Sequence, residues 1–175
     1  HMTKRQNDVL GDYFGEVRAS LARQKSRILT AKHPRENVAL TFPKWGSDPD
    51  LQFEIVSFGA TFGGSALDHG SRLLLQHLPE VRPDAKHIVD LGSGNGSLGV
   101  EAARSRPGAK VIATDQSWGA VHATRATAER AGVADRVRVV RGDGIEQVPA
   151  GWADLILLNP PFHSGSIVTA EVAHR

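Results

Sequence analysis

The sequence has 175 residues, of which 40% are hydrophobic and 23% are charged, and it contains no cysteine. This apolar content can form a core and argues against wholesale disorder. The absence of thiols excludes disulfides, zinc–thiolate sites and a cysteine nucleophile, and no run of about 18 apolar residues is present to span a membrane. His1 precedes Met2, which is typical of a tag remnant, and no secretory signal follows. A cytoplasmic location is therefore expected.

The formal net charge of +2 is unevenly distributed along the chain. Residues 1–35 contain eight Lys/Arg and three Asp/Glu, so this segment has a charge of +5, whereas the remainder carries −3. A basic segment attached to a mildly acidic body favours a polyanionic partner. The same charges also fit an ordinary solvated helix face.

The first 57 residues are expected to form an extension made of a basic helix and a hairpin. Apolar residues recur at three- and four-residue spacing over 8–29, which predicts an amphipathic helix. Alternating apolar and polar residues at 38–42 and 51–57 predict the two strands of a β-hairpin. The predicted organisation is an extension at 1–57 followed by a second domain at 58–175.

From Leu67 onward, helical and strand patterns alternate. The predicted helices are 67–78, 97–105 and 117–131, and the predicted strands are 87–91, 110–114, 136–141 and 153–158. Such alternation predicts a Rossmann-like, doubly wound parallel α/β sheet. Because 153–158 is a continuous apolar run, we expect it to be a central strand buried on both faces.

A glycine-rich turn follows the strand at 87–91. It reads Asp90-Leu91-Gly92-Ser93-Gly94-Asn95-Gly96. Glycines let the backbone turn sharply and let a ligand approach the main chain. The dinucleotide fingerprint would require glycine at position 97, which is Ser97, and the Asp90 carboxylate would repel a pyrophosphate. A cationic ligand suits this turn better.

Polar residues also follow the other predicted strands. Asp115 ends the second strand, where an acid can accept both hydroxyls of a ribose. Asp143, between two glycines, could hold an adenine amino group, and Asn159-Pro160-Pro161-Phe162 follows the fourth strand. Any one of these turns could be only a tight connection. Together they lie at the carboxyl ends of parallel strands, where open α/β sheets bind ligands.

This arrangement resembles the class I S-adenosylmethionine-dependent methyltransferases. The turn at 90–96 is similar to their first motif, Asp115 to their ribose-binding acid and Asp143 to their adenine-side acid. The segment at 159–162 resembles the motif of enzymes that methylate an amino nitrogen in a planar system. The resemblance implies S-adenosylmethionine as the cofactor and a set of cofactor-binding residues: Asp90, Gly92, Ser93, Gly94, Asn95, Gly96, Asp115, Gln116, Asp143, Gly144 and Asn159.

A closer similarity is to the ribosomal RNA guanine-N2 methyltransferases. The residues that carry it, besides the motifs above, are Phe62, Leu67-Asp68, Gly70, Arg72-Leu73-Leu74-Leu75 and His163. It implies methylation of the N2 amine of a guanine, with ribosomal RNA or a ribosomal subunit as the partner and no metal. Methylation of DNA adenine or protein glutamine, and a cofactor-binding but non-catalytic RNA-binding module, are the alternatives.

The resemblance makes Asn159, Pro160 and Phe162 the catalytic residues. Asn159 and the Pro160 carbonyl would accept the two N–H groups of the amine, and Phe162 would stack on the base. Each has a plainer interpretation, since Asn159 could only fix its loop and Phe162 could pack in the core. Asp68 could reach the methionine end of the cofactor or cap the helix at 67–78.

The related enzymes continue beyond the fourth strand with a helix and three more strands, whereas this sequence ends at Arg175. The resemblance therefore implies a partial domain. Its fourth strand would expose an apolar edge, which a second copy of the chain could cover.

Overall fold

The computed structural model describes residues 4–59 and 61–160. The chain divides into two compact units, His1–Thr41 and Phe42–Arg175. The hairpin that the sequence assigns to the extension lies in the second unit, and the functional division at 57/58 stays a prediction. In the described part, no helix is long and apolar enough to cross a membrane.

The first unit consists of a short helix and a two-stranded sheet. The helix α1 (Arg5–Tyr13) leads directly into β1 (Phe14–Ala19), which pairs antiparallel with β2 (Leu29–Pro34). None of the described residues of this unit is buried. The predicted helix over 8–29 is therefore wrong beyond Tyr13.

The helix ends because the chain becomes extended at Phe14, where φ is −129° and ψ is 145°. Gly15, the next residue, has a low helix propensity. The partner strand β2 begins beyond most of the predicted helix, so spacing within 8–29 cannot reveal the pairing. Leu21, which the helical pattern assigns to the apolar face, is 94% exposed.

The second unit begins with a short antiparallel pair, β3 (Lys44–Gly46) and β4 (Ile55–Ser57). The hairpin is thus present, but the strand predicted at 38–42 is wrong and the one predicted at 51–57 is shorter. Leu51 and Phe53 lie in the connecting loop and are buried. These apolar residues alternate with polar ones because their side chains are buried from a loop, and not because the segment pairs as a strand.

A parallel four-stranded sheet forms the body of the second unit. In spatial order its strands are β7 (Val137–Arg141), β6 (Lys110–Asp115), β5 (His87–Leu91) and β8 (Leu155–Leu158). The helices of this unit are α2 (His69–His77), α3 (Ser97–Ser105) and α4 (Trp118–Arg130). This architecture confirms the predicted Rossmann-like α/β class.

The two middle strands of the described sheet are the most deeply buried. Ile88 and Val89 in β5, and Val111 and Ala113 in β6, are at most 1% exposed. Full burial of a valine or isoleucine side chain stabilises a fold by about 1.5–3 kcal/mol. These strands therefore form a rigid base for the turns at their carboxyl ends.

The strand β8 differs from its prediction. Among the described strands it pairs only with β5, and Ile156 and Leu158 are 53% and 39% exposed, whereas Leu157 is 7% exposed. The prediction of a central strand that is buried on both faces is therefore wrong for the described sheet. An apolar strand is buried on both faces only where other parts of the protein pack against each face. The partial domain expected from the resemblance stays a prediction, and in the described sheet β8 has an unpaired edge. Its coverage by a second copy of the chain stays a prediction.

Candidate active site

The strand order of the sheet reverses beside β5. From β5 the sheet continues through β6 to β7 on one side, whereas β8 pairs on the other side. Open α/β sheets bind ligands at such a switch point, outside the carboxyl ends of the strands. Leu91, the last residue of β5, is in register with Thr114 of β6 and Leu158 of β8.

Three predicted site residues therefore lie at the same level of the sheet. Gly92, Asp115 and Asn159 each follow one of these three paired residues. Adjacent strands are about 4.8 Å apart, so the backbones at Asp115 and Asn159 are about 10 Å apart, with Gly92 between them. The fold thus brings Gly92, Asp115 and Asn159 together.

The turn after β5 requires glycine for its backbone. Gly92, Gly94 and Gly96 have φ values of +74°, +56° and +83°, a conformation that costs other residues roughly 1–2 kcal/mol. A Cβ at Gly96 would lie 2.9 Å from the Cα of Thr124, whereas one at Gly92 would meet nothing within 4 Å. Gly96 therefore permits close packing of α3 on α4, and Gly92 borders open space that a ligand can enter.

Two polar side chains of the turn bind to other parts of the protein. Ser93 Oγ lies 2.9 Å from Thr124 Oγ1, and Asn95 Nδ2 donates to the carbonyls of Gly64 and Ala66 at 3.1 and 3.0 Å. Both side chains belong to buried residues. They fix the turn from within, so a contact with a cofactor would come from their main chain. Their predicted role in cofactor binding stays a prediction.

Asp90 lies beneath the turn and is 1% exposed. Its Oδ2 accepts a hydrogen bond from the N–H of Gly99 at 2.9 Å, and a Cβ at Gly99 would approach that oxygen to 2.7 Å. Burial is the main reason why the pKa of Asp90 is raised to about 7. The negative charge of Asp115 also raises this pKa, whereas the hydrogen bond from Gly99 lowers it. The carboxyl group connects β5 to α3, and its predicted contact with a cationic ligand stays a prediction.

Asp115 presents a carboxylate that two backbone groups hold in place. Its Oδ2 accepts from the N–H of Gly94 at 3.0 Å and its Oδ1 from the N–H of Ser117 at 2.8 Å. The residue is only partly buried, and each oxygen has a further lone pair. Such a carboxylate can accept two neighbouring hydroxyl groups. Gln116 is exposed, and its carbonyl accepts from Arg141 Nε at 3.1 Å.

The turn after β7 lies beside Asp115. The N–H of Gly142 donates to the Asp115 carbonyl at 3.1 Å. Asp143 is exposed, and Gly144 has a φ of +95°. These residues therefore border the same end of the sheet as the glycine turn, and their binding to an adenine stays a prediction.

Asn159 lies against the first turn of α2. Its Nδ2 donates to Asp68 Oδ1 at 2.9 Å and to Ser71 Oγ at 3.1 Å. Pro160, the next residue, is partly buried. The structure thus brings Asn159 and Pro160 to the switch point, whereas Phe162 lies outside the described residues.

Two side chains that hold this site were not predicted from the sequence as site residues. Ser71 contacts Asn159, and Thr124 donates from Oγ1 to the carbonyl of Gly94 at 3.3 Å. The sequence does carry a signal for Ser71, because it lies three residues after Asp68, the N-cap of α2. Asp68 accepts a hydrogen bond from the N–H of Ser71, which confirms the helix-capping role, one of the two roles predicted for Asp68. Thr124 has no local signal, since it meets the turn only in the folded chain.

Known proteins resemble the chain over much of its length. A ribosomal RNA large subunit methyltransferase G of Ectopseudomonas mendocina is 37% identical over all of this chain and 47% of that protein. The same enzyme of Photobacterium profundum is 34% identical over 92% of this chain and 43% of that protein. The chain therefore spans about half the length of the curated relatives it matches.

One solved structure, an RNA methyltransferase from Salinibacter ruber in complex with S-adenosyl-L-homocysteine, is 33% identical over 51% of this chain and 57% of that chain, with a TM-score of 0.41. The methyltransferase small domain family matches residues 52–175, which is more than half of the sequence. This match confirms the resemblance to methyltransferases. The chain belongs to the methyltransferase small domain family.

Proposed function

We propose that the chain takes part in transferring the methyl group of S-adenosylmethionine to the exocyclic N2 amine of a guanine in ribosomal RNA. The observation that carries the proposal is the position of Asn159 beside the glycine turn, at the switch point of the sheet. The names of the two relatives support ribosomal RNA as the substrate. A ribosomal RNA substrate in turn implies that the protein acts in the cytoplasm.

The residues at the switch point fit the cofactor. The carboxylate of Asp115 can accept both ribose hydroxyls, and the open space at Gly92 lets a ligand approach the main chain. S-adenosylmethionine supplies a methyl group on a sulfonium centre, from which an amine can take it. We assign cofactor binding to the residues predicted for it: Asp90, Gly92, Ser93, Gly94, Asn95, Gly96, Asp115, Gln116, Asp143, Gly144 and Asn159.

Asn159 and Pro160 would act on the amine itself. The lone pair of a guanine N2 amine is delocalised into the ring, so this nitrogen is a poor nucleophile. Hydrogen bonds from its two N–H groups to Asn159 Oδ1 and the Pro160 carbonyl favour a pyramidal nitrogen and stabilise the positive charge that develops there. No strong base is required, because a cationic nitrogen releases its proton easily. Phe162 would hold the base by stacking, and a paired base must first leave its stack.

The first unit supports a polyanionic partner. Seven of its described Lys/Arg residues are exposed: Lys4, Arg5, Arg18, Arg23, Lys25, Lys32 and Arg35. Lysine and arginine contacts with phosphates release counterions, which makes the affinity for RNA fall with salt. We therefore propose that this unit contributes a large part of the RNA affinity.

Transfer of a radiolabelled methyl group tests the proposed reaction. The chain is incubated with labelled S-adenosylmethionine and unmodified ribosomal RNA, DNA or a release-factor protein, and the products are digested and identified by mass spectrometry. We expect N2-methylguanosine in the RNA. Label in N6-methyladenine or methylglutamine would replace the proposal with the corresponding alternative. Cofactor binding without any label would favour the non-catalytic RNA-binding module.

Salt titrations of RNA binding test the role of the first unit. Arg23→Gln and Lys32→Gln should each reduce the slope of log affinity against log salt by about 0.7 to 0.9. Lys86→Gln and Lys110→Gln, at exposed positions of the second unit, are the matched controls and should leave the slope unchanged. Equal effects in both pairs would refute a special role for the first unit.

A further inference from the structure

We infer that Asp68 and Ser71 are positioning residues for Asn159, which hold its side-chain amide so that Oδ1 faces the substrate amine. Both residues lie at the beginning of α2, distant from Asn159 in the sequence and beside it in the fold. The inference rests on the proposed function, because it identifies what orients the hydrogen-bond acceptor in that reaction.

Hydrogen-bond chemistry determines which way the amide points. The carboxylate of Asp68 can only accept hydrogen bonds, so the atom of Asn159 that faces it at 2.9 Å is the donor Nδ2. The same nitrogen donates to Ser71 Oγ at 3.1 Å. An amide nitrogen has two protons, and both are used here. The remaining polar atom of the side chain is Oδ1, which can only accept.

The start of α2 fixes the two partners in turn. Asp68 is the N-cap of the helix, and its Oδ1 also accepts from the N–H groups of Gly70 and Ser71 at 3.0 and 3.3 Å. Ser71 is 5% exposed. A Cβ at Gly70 would collide with Oδ1 of Asn159, so glycine leaves the room that the amide occupies. The residues at the start of α2 therefore determine the orientation of the Asn159 side chain.

The charge of Asp68 strengthens this arrangement. Burial raises the pKa of Asp68, but hydrogen bonds from Ser71, Asn159 and the N–H of Gly70 outweigh it and lower the pKa below the ordinary value. A carboxylate that accepts from Nδ2 polarises the amide and makes Oδ1 a stronger acceptor. The carboxylate also opposes a 180° flip of the side-chain amide, which would place the NH₂ group of Asn159 next to the NH₂ group of the base.

A fixed acceptor acts on the rate of the reaction more than on binding. The acceptor is already in place when positive charge develops on the nitrogen, so little reorganisation is needed in the transition state. The cofactor motifs are held by other contacts, to Gly94, Gly99 and Thr124. Loss of the Asp68 contact should therefore lower kcat and leave the affinity for the cofactor unchanged.

Three variants separate positioning from folding. Asp68→Ser keeps a good N-cap side chain but is too short to reach Asn159, and should lower kcat about a hundredfold. Ser71→Ala removes one of the two hydrogen bonds and should lower kcat about tenfold. Asp68→Asn keeps both a cap and an acceptor oxygen, and should retain most of the activity. Cofactor affinity, measured by calorimetry, should be the same in all three.

The NMR signals of the side-chain amide of Asn159 give a readout that does not depend on catalysis. This pair of signals is identified by its loss in Asn159→Ala. In the wild type we expect both amide protons of Asn159 to be protected from exchange. In Asp68→Ser these protons should lose their protection and their signals should shift. In Asp68→Asn they should stay protected. The amide pair of Asn37, in the first unit, is the control and should not change.

Two results would overturn the inference. One is an Asn159 amide pair that Asp68→Ser leaves unchanged, and the other is a loss of cofactor affinity as large as the loss of kcat. A wild-type chain that forms no N2-methylguanosine would contradict the proposed function instead. In that case the amide signals still decide whether Asp68 orients Asn159.

Discussion

The two sides of the switch point are held by different kinds of contact. On the cofactor side, the glycine turn lies on buried strands and is fixed by packing against α4 and by the buried carboxyl group of Asp90. On the other side, where we propose that the amine binds (the amine side), Asn159 follows the edge strand of the described sheet and donates hydrogen bonds to two side chains at the start of α2. Changes on the cofactor side should therefore affect folding or binding, and changes on the amine side should affect the rate.

The strand β8 illustrates the second kind of contact. At its amino end the carboxylate of Asp154 accepts from the N–H groups of Lys86 and His87 at 2.9 Å each. At its carboxyl end Asn159 donates to α2. Polar side chains thus contact the chain at both ends of this strand, in which Ile156 and Leu158 are exposed.

The largest expected effect is that of Asn159→Ala. Loss of an acceptor that stabilises charge in the transition state should lower kcat by about 10² to 10³-fold. Asn159 is only one of the eleven residues assigned to cofactor binding, and Asp115 and the glycine turn are unaffected, so cofactor affinity should fall much less than kcat. Single-turnover methyl transfer and calorimetry measure the two quantities on the same sample. A parallel loss of both would remove the contrast between the two sides.

The next effect is on stability, and it comes from the glycine turn. Gly96→Ala introduces a Cβ next to the backbone of Thr124 at a φ of +83°, so we expect it to lower the free energy of unfolding by about 2–4 kcal/mol. Gly92→Ala has a similar φ but open space around it, so it should cost about 1–2 kcal/mol. Urea unfolding measures both. Equal losses would mean that packing on α4 does not fix the turn.

Asp115→Asn should weaken cofactor binding on this same side. One carboxylate oxygen becomes an NH₂ group that faces a backbone N–H, and charged hydrogen bonds of this kind contribute about 1.5–3 kcal/mol. We therefore expect cofactor affinity to fall by about 10 to 100-fold. Asp135→Asn, the same substitution at an exposed position to which no cofactor contact is assigned, is the matched control and should have little effect. Similar losses in both variants would contradict the assignment of Asp115.

The sequence predicts the cofactor side better than the amine side, for a physical reason. Glycines with positive φ and acids at strand ends are local requirements, so Gly92 and Asp115 can be recognised from neighbouring residues alone. The contact of Asn159 with Ser71 joins residues 88 positions apart. Only the fold brings them together, so spacing along the chain cannot reveal it.

The errors in the predicted fold have the same origin. The helix predicted over 8–29 fails because β1 finds its partner in β2, outside most of that window. The apolar run of β8 predicts burial correctly for Leu157 but not for Ile156. Periodicity reports what a segment can bury, whereas strand pairing and neighbouring layers determine what it does bury.

The last expected effect is the pH dependence of stability that Asp90 adds to the cofactor side. Burial raises the pKa of Asp90 to about 7 from an ordinary 3.8. Between these values the folded chain binds a proton that the unfolded chain has released. The free energy of unfolding should therefore fall as pH rises through this range, by about 1.4 kcal/mol per pH unit, and become constant above pH 7.

Asp90→Asn isolates this contribution, because the amide oxygen can still accept from Gly99 but has no charge to bury. Urea unfolding at pH 5, 6, 7 and 8 should show the variant gaining stability relative to the wild type as pH rises. Asp135→Asn, at an exposed position, should follow the wild type at every pH. A constant difference between Asp90→Asn and the wild type would mean that the carboxyl group is charged throughout this range. The packing of α3 on β5 would then be looser, and the cofactor side less rigid, than its burial indicates.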